Sequence, residues 1–416
     1  MSKWEWKKLG DLYPIVMGKT PPRGDPSCWD KSKRTNNVWV TIADISSNEN
    51  QVITESKEYI SDKATKNISL VSPKSLLLSF KLSIGKMAFA GVPLYTNEAI
   101  VNFPPIKDID LHYLHKYFLY YNWDKASEGD TKVKGKTLNK EKLKNIDIPI
   151  PPLSEQKRIV KFLDEEFSKI ETLKTNAETN LKNAKELFET TLEKELNPLS
   201  RHSERSEESS AEYPSGWEWK TLRELCILRP SKNEALSHLK GTDEVSFLPM
   251  EDLNIRERNT IPHKSRALSE VHGSYTFFAE GDVLLAKVTP CFENGKMGIA
   301  SNLLNGVGFG SSEYIVFRTT KSMINSYLFY VLMSSRFISG GKKQMLGACG
   351  LKRLSKEYVE SFQIPLPPLS VQKEIVARLD KLSENVKRLE ANYKQIIANC
   401  DELKKSILKK TFEEKT

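Results

Sequence analysis

Cysteine is scarce in this chain of 416 residues and odd in number. Cys28, Cys226, Cys291, Cys349 and Cys400 stand far apart, with no C-x-x-C pair to hold zinc or run a redox couple. They read as reduced thiols. No apolar run approaches the ~18 residues a membrane helix needs, and the opening MSKWEWKKLG lacks the apolar centre of a signal peptide. The expectation is a cytoplasmic protein with no membrane partner. Phosphate loops are missing too: Gly-Lys-Thr occurs at Gly18 and Gly135, but Tyr13 and Asp130 stand where a P-loop needs its first glycine. Gly306, Gly308 and Gly310 precede a β-like run, the wrong order for a dinucleotide fold. Asn102-Phe103-Pro104-Pro105 scrambles the order an adenine-methylating site requires, and His112 and His115 have no third ligand in view. No acid/base pair or nucleophile constellation remains, so the chain is expected to be non-catalytic and to bind no metal.

What the sequence does hold, it holds twice. Trp4-Glu5-Trp6-Lys7 returns as Trp217-Glu218-Trp219-Lys220, and WVTIADI from Trp39 aligns with FLPMEDL from Phe247. Gly85-Lys86-Met87 recurs as Gly295-Lys296-Met297, and NEAIVNF from Asn97 echoes SEYIVFR from Ser312. The longest echo is IPIPPLSEQKRIVKFLD from Ile148 against IPLPPLSVQKEIVARLD from Ile364. Five matches in one order at shifts of 208 to 216 define a tandem repeat. Residues 1–153 and 214–369 carry short β-rich runs such as SLLLSF and DVLLAKV, broken by Gly, Pro, Ser and Asn, with a few helical stretches such as LHYLHKYFLYY. That mixture predicts α+β modules.

Each module is followed by a polar, periodic segment, residues 154–196 and 370–416, with Ser154 or Ser370 placed as an N-cap after Pro-Pro. In the second segment Ile375, Leu382, Leu389, Ile396 and Leu403 recur every seven residues, with Leu379, Val386, Tyr393, Cys400 and Ile407 as the companion row. The first segment is looser: Ile159, Leu173 and Leu187 on one row, Leu163, Ile170, Ala177 and Ala184 on the other, the alanines small enough for close approach. The pattern predicts two long helices that share a seam, each about 60 Å long if it holds some 40 residues. Residues 197–213 are polar and of low complexity, as a linker would be. Net charge is +9, and the modules carry +6 and +4 of it while the helices, at −2 and +2, cancel. A basic excess confined to the modules points to a polyanionic partner held there.

The module–helix–module–helix plan, PSGWEW from Pro214, GDVLLAKVTPCFENGKMGIA from Gly281, GFGSSEYIVFR from Gly308 and the doubled IPxPPLSxQKxIVxxLD together resemble the specificity subunit of a type I restriction-modification enzyme. The likeness covers nearly the whole chain apart from the linker. It implies two similar α/β target-recognition domains, 1–153 and 214–369, separated by two long antiparallel helices in a coiled coil with pseudo-twofold symmetry. It further implies double-stranded DNA as ligand, read as a bipartite asymmetric site, with two methylation subunits and the restriction and translocation subunits as partners. S-adenosylmethionine, ATP and Mg would belong to those partners, and this chain would bind none. The alternatives are a stand-alone two-headed DNA-binding protein, a DNA methyltransferase or nuclease, and a scaffold that binds only proteins.

On physical grounds, lysines supply affinity through phosphates, and polar loop side chains supply sequence through base edges. The aligned hairpins offer Lys81, Ser83 and Lys86 in the first module and Lys287, Thr289, Asn294 and Lys296 in the second, where the loop is four residues longer. A second basic cluster precedes each closing motif: Lys132, Lys134 and Lys136, then Lys342, Lys343, Lys352 and Arg353, with Gly135 and Gly350 beside them to admit a phosphate. Glu98 and Glu313 suit either a cytosine contact or a structural ion pair.

Overall fold

A computed structural model describes residues 4–127, 131–132, 135–136, 138–197, 216–347 and 350–413. The linker therefore lies outside the described residues except for Asn197, as do Lys134 and Cys349. The chain divides into two units, Met1–Glu178 with Gln395–Thr416, and Thr179–Lys394.

In the first unit a four-stranded sheet runs in the order Val52–Ile53, Met87–Ala90, Leu76–Ser79, Ile100–Phe103. The first pair is parallel and the other two antiparallel. A three-stranded sheet places Val38–Val40 between Glu58–Tyr59 and Leu94–Thr96. The run SLLLSF is buried on both faces, Leu76, Leu77 and Leu78 alike, which explains its lack of alternation. The second unit repeats the plan with longer sheets. Five strands run in the order Cys226–Leu228, Tyr314–Thr319, Val283–Ala286, Met297–Ala300, Asn259–Thr260. Four more run Lys264–Ala267, Glu244–Leu248, Val307–Gly310, Thr276–Ala279. Each unit also has a two-stranded ribbon that zips the first repeated motif onto the last: Trp6 opposite Pro149, and Trp219 opposite Pro365. The repeat was visible in the sequence, whereas the pairing of its two ends was not.

The long helices are Leu153–Leu196 and Leu369–Glu413. They start one residue earlier than the serine caps suggested, because the Pro152 carbonyl already accepts from the Glu155 and Gln156 amides, and Pro368 from Gln372. Ser154 and Ser370 therefore sit inside the first turn. Each unit uses both helices to close its core. The first packs Ile159 and Leu163 with Leu408 and Phe412, and the second packs Ile375 and Leu379 with Leu192 and Leu196. The helices run antiparallel in both units, tied by Lys174–Asp401 at 2.8 Å and Lys404–Glu171 at 2.7 Å in one and Arg378–Glu195 at 3.0 Å in the other.

The inward residues include Leu163, Ile170, Ala177 and Ala184 on the first helix and, on the second, Leu379, Val386 and Cys400 of the companion row with Ile375 from the start of the other row, all buried. The rest of the expected seam turns outward. Leu382 and Tyr393 are half-buried, while Leu389, Ile396 and Leu403 are 38%, 41% and 46% exposed, as are Leu173 and Leu187 on the first helix at 55% and 53%. A heptad supplies two rows, but a single neighbouring helix covers mainly one.

His115 lies buried on the helix Leu111–Tyr120 against Phe89, with Nε2 donating to Asn50 Oδ1 at 2.7 Å. Burial first, then the Lys116 charge, pushes its pKa down from 6.5 to about 3. The unfolded chain therefore takes up a proton below pH 6.5 that the folded chain refuses, so stability falls as pH drops through the window from 6.5 to about 3. At ~1.4 kcal/mol per pH unit, the first unit loses about 2 kcal/mol between pH 6.5 and 5 from this residue. His115→Gln should flatten that part of the urea-stability profile. Equal pH sensitivity in both proteins would remove the argument.

Candidate nucleic-acid interface

Each unit sets a hairpin loop beside a basic segment. In the first, strands Leu76–Ser79 and Met87–Ala90 bracket the loop, and the Leu138 amide donates to the Phe80 carbonyl at 3.0 Å. That bond brings the loop next to the stretch that follows Lys136. The short strands Thr131–Lys132 and Gly135–Lys136 pair with each other, while the side chains of Lys132 and Lys136 are outside the described residues. In the second, Val283–Ala286 and Met297–Ala300 bracket the longer loop. Thr289 N donates to Lys352 O at 2.9 Å and Leu354 N to Lys287 O at 2.8 Å. Two groups that the sequence keeps some 60 residues apart thus become neighbours. The repeated Gly-Lys-Met has a local cause, since Gly85 and Gly295 both hold positive φ, 86° and 73°, where a side chain would be strained.

The cations of this surface differ in what they are free to do. Lys86 pairs with Glu49. Lys296 Nζ donates to Met250 O at 2.8 Å. Lys287 Nζ donates to Ser312 O at 2.9 Å and stands 3.7 Å from Glu313, its side chain only 16% exposed. Burial pushes this ammonium's pKa down, against the pull of Glu313. Arg353 clamps Glu313 through Nη2 at 2.8 Å and Nε at 3.0 and 3.1 Å, and with Lys287 it holds that carboxylate below its ordinary range. Glu313 is therefore a structural ion-pair partner, and Glu98 accepts from the Thr20 hydroxyl. Lys81, Lys342, Lys343 and Lys352 have no ion pair among the described residues, with Lys81 Nζ 5.3 Å from the Phe80 ring. Ser83 and Asn294 are exposed. Thr289 is half-buried, its hydroxyl 3.3 Å from Lys352 O. Such an arrangement can hold a polyanion: a rigid frame of internal ion pairs carries a few unpaired ammonium groups and short polar side chains at the loop tips. Among the described residues no group of three His, Cys, Asp or Glu could hold a metal ion, and no helix is long and apolar enough to cross a membrane.

Two residue pairs that position the site escaped notice in the sequence. Gln156 and Gln372 are fully buried, each binding three backbone groups. Gln156 accepts from Asp110 N at 2.8 Å and donates to Asp108 O and Pro151 O at 3.0 and 2.9 Å. Gln372 accepts from Ile324 N at 3.0 Å and donates to Ser322 O and Pro367 O at 2.9 and 2.8 Å. Tyr113 and Tyr327 donate to Pro149 O and Pro365 O, both at 2.7 Å. The signal was present in the repeat, as a glutamine at the same place in both copies of PPLSxQK.

The model of the type I restriction modification DNA specificity domain matches residues 1–183 and again 214–398. A stretch of 198 residues is 36% identical to the specificity subunit of the type I restriction enzyme EcoAI of Escherichia coli, covering 47% of this chain and 33% of that one. The EcoEI specificity subunit, also from E. coli, is 37% identical over 190 residues, 45% of this chain and 31% of that one. The MjaIX specificity subunit of Methanocaldococcus jannaschii is 29% identical over 239 residues, 55% of this chain and 53% of that one. The chain thus spans about a third of the length of the first two relatives. In structure, it aligns over 100% of its length with 99% of a chain from a type I R-M system solved for its complex assembly and conformational transition, with a TM-score of 0.73 at 19% identity. The HsdS subunit from Thermoanaerobacter tengcongensis aligns over 99% of this chain and 97% of its own, with a TM-score of 0.58 at 18% identity. These two likenesses establish the fold.

Proposed function

Because the chain belongs to the type I restriction modification DNA specificity family, we propose that it is the DNA-reading subunit of a type I restriction-modification complex, non-catalytic in itself. The observation that carries this is the double match: one domain family covers both basic modules of a single chain. Residues 1–153 and 214–369 would each read one half of a split, asymmetric site in double-stranded DNA. The unpaired lysines beside the hairpin loops would take phosphates, and Ser83, Thr289 and Asn294 would reach base edges. Residues 154–196 and 370–416 would dock two methylation subunits, which find exposed apolar side chains in each unit, Leu173, Ile396 and Leu403 in the first and Leu187 and Leu389 in the second. S-adenosylmethionine, ATP and Mg would sit on the methylation and restriction subunits, and the target adenine would be extruded into a partner's pocket. The cytoplasm, where chromosomal and incoming DNA meet, would be its location.

The test is a footprint. The purified chain with its methylation partner should protect two short segments separated by an unprotected gap, and the chain alone should transfer no methyl group. Protection of one continuous segment, or methylation by the isolated chain, contradicts the proposal.

A further inference from the structure

Away from the hairpin loops, the first unit contains a hollow of about 280 Å³ lined by Arg23, Trp29, Lys31, Lys33, Lys57 and Tyr59 among others. Its construction is unusually fixed for a surface feature. The Arg23 guanidinium lies over the rings of Trp29 and Trp39 at 4.2 and 4.8 Å and is held there by a two-pronged bond to Glu58. The two indoles meet edge to face at 5.0 Å. The adjoining loop is tied down by Asp30, whose carboxylate accepts from Ser32 N and Oγ at 3.0 and 2.6 Å and from Thr35 N and Oγ1 at 2.6 and 2.8 Å. Lys33 closes one side, its ammonium 2.9 Å from Ser56 O and 5.0 Å from the Tyr59 ring centre.

On this fixed base stand three exposed cations, Lys31, Arg34 and Lys57, whose side chains have no ion pair or hydrogen bond among the described residues. Other cations of the unit are paired, among them Lys63 with Asp25, Lys86 with Glu49 and Lys116 with Asp164. The second unit repeats the motif at the matching strand. Phe247, the counterpart of Trp39 in the repeat, carries the Arg266 guanidinium over its ring at 4.4 Å, and Arg266 is exposed on the edge strand Lys264–Ala267. A guanidinium parked on a ring of the same strand thus recurs in both copies, although Lys264 beside Arg266 is paired with Asp252.

We propose that this hollow and its rim form a second DNA contact, separate from the hairpin loops, in which Lys31, Arg34 and Lys57 take consecutive backbone phosphates while Trp29 and Tyr59 pack against the intervening sugar. The inference rests on the DNA-reading function above. Positive charge on a preorganised loop suits a phosphate, and an aromatic wall beside it suits the apolar face of a deoxyribose. A free anion would need no such wall.

The experiment is a salt titration of DNA affinity using the full chain with its methylation partner on a duplex carrying its site. Each lost phosphate contact lowers the slope of log K against log salt by about 0.9. The triple variant Lys31→Ala, Arg34→Ala, Lys57→Ala should therefore lose about 2 to 3 units of slope and bind specific and unrelated duplexes more weakly by the same factor. Removing three exposed lysines away from both contacts and from the long helices, Lys107→Ala, Lys240→Ala, Lys321→Ala, changes net charge equally and should leave the slope within half a unit of wild type. The charge-keeping variant Lys31→Arg, Arg34→Lys, Lys57→Arg should retain it. If the triple alanine variant keeps the wild-type slope, or the control variant loses as much, the second contact does not exist. If wild type shows no salt-sensitive DNA binding, the DNA-reading function itself falls, and this contact with it.

Discussion

Replacing Gln372 by leucine should destabilise the second unit by about 3–5 kcal/mol, and Gln156→Leu should do the same to the first, because each strands three buried backbone groups at ~1–3 kcal/mol apiece with some relaxation. Leucine fills similar space, so the loss is one of hydrogen bonding and leaves no large cavity. Each glutamine stands where the closing Pro-Pro segment, the loop before the buried module helix and the first turn of the long helix converge. Its loss should therefore loosen the attachment of helix to module. Urea unfolding gives the magnitude, and hydrogen exchange gives the place: faster exchange at Ile324 with Gln372→Leu and at Asp110 with Gln156→Leu. A loss below 1 kcal/mol in both variants would mean that water or a side-chain shift replaces these bonds.

The two heptad rows of the second helix should respond very differently to truncation. Leu379 is fully buried among Ile375, Leu192 and Leu196. Leu379→Ala should cost about 2–5 kcal/mol, the range for buried leucines that leave a cavity behind. Ile396 is 41% exposed on the other row, and Ile396→Ala should cost less than ~1 kcal/mol in the isolated chain, because much of its surface already meets solvent. Denaturant midpoints on the isolated chain decide it. Comparable losses at the two sites would mean that both rows are packed in solution. If methylation subunits cover the outward row, the cost of Ile396→Ala should rise when stability is measured in their presence.

The repeat, the two modules and the long helices were legible because each leaves a local trace: matched motifs, alternating or continuous apolar runs, a seven-residue period. Which lysines are free was not legible. Lys287 and Lys296 carry the same charge in the sequence as Lys352, but their ammonium groups are taken by Ser312 O and Met250 O, acceptors whose proximity depends on the whole sheet. The hollow around Arg23 was missed for the same reason, since Trp29, Trp39 and Tyr59 meet only when the three-stranded sheet forms. A heptad likewise states which residues are apolar but not how many neighbours will cover them. For Leu389, Ile396 and Leu403 the intramolecular neighbour covers too little.

The first unit draws its last piece from the far end of the chain: Leu408 and Phe412 complete a core that otherwise comes from residues before 164, with Phe412 against Tyr113, Tyr117 and Tyr120. The second unit, by contrast, is one continuous stretch, Thr179–Lys394. During translation the half that emerges first must therefore wait with an open hydrophobic wall until residues 408–412 are made, while the half made later can finish ahead of it. A ribosome stalled after residue 394 and before residue 408 would leave the N-terminal half as the sticky one.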